Sequence, residues 1–123
     1  MAENSSIKSY RDLIIWQRSK SYAVSIYKIT GTFPPSELYG LVSQMRRAAV
    51  SIPSNIAEGF RRKTSKEKLQ FLRVAYGSGA ELETQLDISR ALGYIGEPDY
   101  KNLSGELGEI MKMMNKAIDA LGE

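Results

Sequence analysis

The sequence contains neither cysteine nor histidine. Thiol nucleophiles, disulfides, imidazole bases and the usual nitrogen and sulfur ligands of metal sites are therefore all excluded. Long apolar runs are missing too. The longest uninterrupted aliphatic or aromatic stretch is LIIW, Leu13 to Trp16, far short of the roughly 20 residues that span a membrane. The opening residues, MAENSSIKSYRD, lack the apolar core of a secretory signal. Four-helix bundles that hold carboxylate-bridged metals use Glu-x-x-His, which needs the absent histidine. Glu81 and Glu83 point to different sides of their helix, so they make a poor acid and base pair. The expectation is a cytoplasmic protein that is not an enzyme, with no cofactor, no metal and no membrane segment.

What is present fits one compact domain. The chain has 123 residues, of which 42% are hydrophobic, enough for a single core and too few for two. Its formal charge is +3, but residues 1–80 carry 13 Lys or Arg against 5 Asp or Glu, while residues 81–123 carry 4 against 9. Such polarity either pairs the halves with one another, within or between subunits, or offers a basic surface to an anionic partner.

Apolar spacing predicts four helices, at about 10–30, 35–59, 65–93 and 97–121, preceded by a flexible segment over 1–9. The first has Leu13, Trp16, Ala23, Ile26 and Tyr27 as inward residues and ends at Gly31 with Pro34 and Pro35 beyond. In the second, Leu38, Val42, Met45, Ala49, Ile52 and Ile56 alternate steps of four and three, which keeps one stripe toward a neighbouring helix. Pro53 lacks the N–H that would bond the Ala49 carbonyl, so a bend is expected there, and Gly59 is expected to permit the exit. Thr64 and Glu67 form a capping-box pattern opening the third helix, where Leu72, Ala75, Gly79, Leu82 and Leu86 repeat before Gly93. The fourth starts near Pro98, suited to a first helical turn, and carries Leu103, Leu107, Ile110, Met114, Ala117 and Leu121. No segment alternates with period two, and the connections are short. The predicted fold is all-α, an antiparallel up-down-up-down four-helix bundle over 10–123.

Four surfaces exceed what a bare bundle needs. Tyr39, Val50 and Ala57 on the second helix, and small residues Gly77, Ala80, Thr84 and Ala91 on the third, widen the apolar faces. They fit either a core that touches two neighbours or a subunit interface. A narrow polar stripe on the second helix, including Arg47, Ser51, Asn55 and Glu58, fits a hydrogen-bonded helix contact, with Glu81 a candidate partner for its charges, or else a binding site. The densest charge is RRKTSKEK, where Arg61, Arg62, Lys63, Lys66 and Lys68 face Glu67 alone. Around a helix N-terminus those cations either meet phosphates or are simply solvated. Tyr10, Tyr76, Tyr94 and Tyr100 would stack on unpaired bases if exposed, and otherwise belong to core or rim.

The series FPPSELYGLVSQMRRAAVSIPSNIAEGFRR, then FLRVAYGSGAELETQL and ALGY, resembles the bacterial four-helix-bundle family named for proteins encoded in 23S ribosomal RNA intervening sequences. SIPSNIAEG at Ser51 to Gly59 is its most specific part, GSGAELET at Gly77 to Thr84 supports it, and YRDLIIWQRS at Tyr10 to Ser19 fits the family's opening. Ser19 stands where the family pattern has alanine.

The resemblance implies a closed bundle, assembly into a barrel-like homopentamer and no catalytic residues. Relatives that serve as accessory variability determinants of diversity-generating retroelements are associated with a reverse transcriptase and with nucleic acid. The combined expectation is a noncatalytic homo-oligomer that binds nucleic acid, RNA above all, through phosphate contacts of the Arg61 to Lys68 cluster. The alternative is a scaffold that holds a partner enzyme, such as a reverse transcriptase, without touching nucleic acid itself.

Overall fold

The computed structural model describes residues 6–122. Of the flexible segment expected over 1–9, residues 1–5 lie outside the described residues. The chain then forms a short 3-10 turn, Tyr10–Asp12, and helix α1, Ile14–Thr30. A second 3-10 turn, Pro35–Glu37, and a π turn, Leu38–Val42, lead into α2, Ser43–Phe60. Helices α3, Ser65–Ala91, and α4, Glu97–Gly122, complete it. No strand occurs among the described residues.

The helices form the predicted antiparallel bundle. Leu13 before α1, Ile56 and Phe60 at the end of α2, Leu72 near the start of α3, and Ala117 and Leu121 late in α4 line one apolar pocket of about 200 Å³. Starts and ends thus alternate at a single end of the molecule. Packing is closest between α2 and α3 and slimmest between α1 and α4, where Arg18 and Glu106 pair at 2.8 Å.

The core follows the three-four periodicity. Ile26, Met45, Ile52, Leu82, Leu86, Leu107, Ile110 and Met114 are fully buried, and each such side chain contributes about 1.5–3 kcal/mol. Two expected inward residues face out instead. Tyr27 is exposed, and the buried tyrosine of α1 is Tyr22, whose hydroxyl donates to the Leu103 carbonyl at 2.8 Å. Leu38 is exposed because it lies in the π turn, whose wider i→i+5 spacing puts the chain out of phase with the stripe that follows.

Four local expectations are revised. The first helix begins at Ile14, because Leu13 is extended and a capping box between Ser9 and Asp12 holds the separate turn before it. The second helix, expected from about 35, is regular only from Ser43, because the backbone departs from helical values at Gly40 (φ −114°, ψ −111°); α2 then continues through a buried Pro53. Gly59 is helical, and its role is close approach: a Cβ there would meet Phe71 Cβ at 3.1 Å, so it lets α2 lie against α3. At Thr64 the Glu67 N–H donates to Oγ1 at 3.1 Å as expected, but the Glu67 carboxylate accepts from the Thr64 hydroxyl. Gly93 does close α3, with the one positive φ (79°) among the described residues.

Candidate nucleic-acid interface

The predicted basic cluster occupies the end of the bundle where α2 turns into α3, and its five members are not equivalent. Lys68 donates from Nζ to the Phe60 carbonyl at 2.9 Å and the Gly59 carbonyl at 3.4 Å. It thereby adds a donor at the carbonyl end of α2, where the Gly59 carbonyl also accepts from the Arg62 N–H at 3.1 Å, and places a cation at the negative end of a helix dipole. Arg62 pairs with the Glu58 carboxylate one turn earlier and lies 5.0 Å from the Phe71 ring centroid. Both are therefore engaged in holding the turn. Lys63 and Lys66 are exposed, with no ion pair among the described residues.

Arg61 faces the other way. Its guanidinium lies 5.5 Å from the centroid of the Tyr10 ring, and Arg11 lies 4.9 Å from that same ring. The 3-10 turn before α1 thus brings two further cations, Lys8 and Arg11, to the basic end. Lys8, Ser9, Tyr10, Phe60 and Arg61 line an open pocket of about 460 Å³.

Three nearby carboxylates, Asp12, Glu58 and Glu67, are already committed. Asp12 Oδ2 accepts from the backbone N–H groups of Lys8 at 2.8 Å and Ser9 at 3.1 Å. These two bonds, the first foremost, hold its carboxyl below the usual carboxylate range. Glu58 is taken by Arg62, and Glu67 by Thr64. Lys8, Arg11, Arg61, Lys63 and Lys66 consequently present positive charge without an ion-pair partner among the described residues.

The sequence pattern of the family described as "23S rRNA-intervening sequence protein" matches residues 11–116. The chain belongs to this family. Among solved structures it is similar to a protein of unknown function from the S23 ribosomal protein family of Bacteroides thetaiotaomicron, at 23% identity. The TM-score is 0.78, with 85% of this chain and 98% of that one covered, which establishes a shared fold. No curated protein matches the chain.

In this family member the polar stripe of α2 divides in two. Asn55 donates from Nδ2 to the Ser51 carbonyl at 2.8 Å and to Ser51 Oγ at 3.0 Å, and Ser78 of α3 donates to Ser51 Oγ at 2.8 Å. This half is a helix contact. The charged half does not pair as expected: Glu58 bonds Arg62 of its own connection, while Arg47 and Glu81 are exposed and form no ion pair among the described residues.

No group of three or more Asp or Glu that could hold a metal occurs among the described residues, and none of their helices is long and apolar enough to cross a membrane. Three of the four tyrosines considered for stacking are tied into the fold. Tyr94 donates to Glu37 Oε2 at 2.9 Å, Tyr100 donates to Asp87, and Tyr76 packs against the core. Tyr10 alone of the four lies at the basic end. The participation of Lys8 and Arg11 was missed because their link to Arg61 is tertiary; the one local signal, SYRD as a capping box, fixes the turn but not its neighbour.

Proposed function

We propose that this protein is a noncatalytic, cytoplasmic homo-oligomer, a pentamer as the family resemblance implies, that binds nucleic acid, chiefly RNA. Contacts run mainly to phosphate. The observation that carries the reading is the set of five cations without carboxylate partners among the described residues, Lys8, Arg11, Arg61, Lys63 and Lys66, gathered from two distant segments at one end of the bundle. Phosphates would replace the counterions such a surface otherwise holds. Repetition around a ring would turn several weak contacts into one avid site.

Self-association is supported by a separate surface. Val24, Tyr27 and Val50 are exposed around a shallow, mostly apolar depression of about 350 Å³ between α1 and α2, and Tyr39 nearby is 93% exposed. Within one subunit the Arg46 guanidinium lies over the Tyr27 ring, 4.6 Å from its centroid, yet Tyr27 and the two valines remain 41–47% exposed. Contiguous apolar side chains of this kind mark contact sites.

The test is binding of labelled RNA and DNA as salt is raised. Five phosphate contacts per subunit predict a loss of roughly a hundredfold between about 50 and 200 mM salt. Lys63→Glu with Lys66→Glu should weaken binding further at low salt. Indifference to both salt and charge reversal overturns the reading.

A further inference from the structure

The pocket beside Tyr10 differs in kind from the exposed lysines next to it. Lys63 and Lys66 offer point charges on a convex turn, suited to any phosphate backbone. The pocket instead is lined by Tyr10 and Phe60, by Arg61 with its guanidinium lying over the Tyr10 ring, and by Lys8. Its volume of about 460 Å³ lies within the roughly 300–1,000 Å³ typical of sites for small organic ligands. Flat aromatic and guanidinium surfaces with adjacent cations match a nucleobase joined to a phosphate. A duplex keeps its bases stacked inside and can offer this pocket only phosphates.

We infer that the pocket receives one unpaired nucleotide of an RNA strand, its base against Phe60 and the Arg61 guanidinium, which is backed by the Tyr10 ring, and its phosphate beside Lys8. The inference rests on the nucleic-acid binding proposed above and narrows it to single-stranded segments. Ring placement is rigid. Ser9 and Asp12 lock the turn in a reciprocal capping box, and Tyr10 packs edge-on to Trp16 with centroids 5.2 Å apart. The surface is therefore formed before any ligand arrives.

Trp16 is the only tryptophan in the chain, so its emission reports on this pocket without labelling. Titration of the full chain with a uridine oligomer should change Trp16 emission saturably, while an RNA duplex of equal length should bind without that change. Tyr10→Leu, with folding checked by thermal melting, should lower affinity for the oligomer roughly tenfold, the effect of losing one stacked base. Should that variant not fold, the emission titration of the unaltered protein decides alone. Oligomer binding with unchanged Trp16 emission, or a folded Tyr10→Leu protein within twofold of the parent, overturns the pocket assignment and leaves the phosphate-binding function standing. Failure of both nucleic acids to bind overturns the two together.

Discussion

Ser78 of α3 donates a hydrogen bond to the hydroxyl of Ser51 on α2 at 2.8 Å, and Ser51 in turn accepts from Asn55. The most closely packed pair of helices is thus registered by a small polar relay. Ser78→Ala should cost about 1 kcal/mol in chemical denaturation, the net value of one such bond. Ser78→Leu should cost more, because the site is buried and has no room for the added volume. Equal midpoints for both variants and the parent would show that the relay contributes nothing.

The side chain of Met111 on α4 packs over Gly79 of α3. A Cβ at that position would stand 2.2 Å from Met111 Sδ, so Gly79→Ala forces the methionine out of its rotamer. The expected loss is below about 1 kcal/mol, because Met111 is flexible and alanine's better helix propensity offsets much of the cost of displacing it. Adding Met111→Ala should recover part of that loss. A double mutant no more stable than the sum of the two single losses predicts would refute the steric account.

The Tyr22 phenol gives the bundle an alkaline limit. Burial, with Glu106 and Glu83 adding to it, raises its pKa well above the ordinary 10.0. The folded state prefers the neutral phenol, so this stabilisation is complete below about pH 10 and is lost as pH rises toward the folded-state value. Hydrogen bonds to Glu37 and Asp87 raise Tyr94 and Tyr100 in the same direction. Tyr22→Phe should lose about 1 kcal/mol at neutral pH and lose less than the parent on going above pH 10. Parallel stability curves for the two proteins would refute this.

Val50 is 41% exposed on the α1–α2 face, so charge can be placed there without entering the core. Val50→Glu should leave the melting of the single subunit nearly unchanged and shift the protein toward monomer in light scattering coupled to size-exclusion chromatography. A parent that is already monomeric at micromolar concentration would contradict the proposed assembly.

The bundle was legible in the sequence because burial repeats every three or four residues, and that signal survives without knowledge of neighbours. Leu38 escaped it because a π turn changes the phase before α2 settles. The basic cluster was legible only as a count of charges. Composition cannot tell that Lys68 is spent on the carbonyls of α2, or that Arg62 is spent on Glu58, while Arg11 joins from another segment. Partners are assigned by tertiary approach, and periodicity carries no information about which turn meets which.

The slim seam between α1 and α4 is the place where local opening is expected to begin. The α2–α3 hairpin has its own sealed turn, with Lys68 on the last carbonyls of α2 and Arg62 on Glu58, and the most extensive helix–helix contact among the described residues. It can therefore persist as a cooperative unit while the seam opens. Amide exchange should then be slowest in the middle of α2 and α3 and faster in α1. An α1 as slowly exchanging as α3 would mean that the chain opens only as a whole.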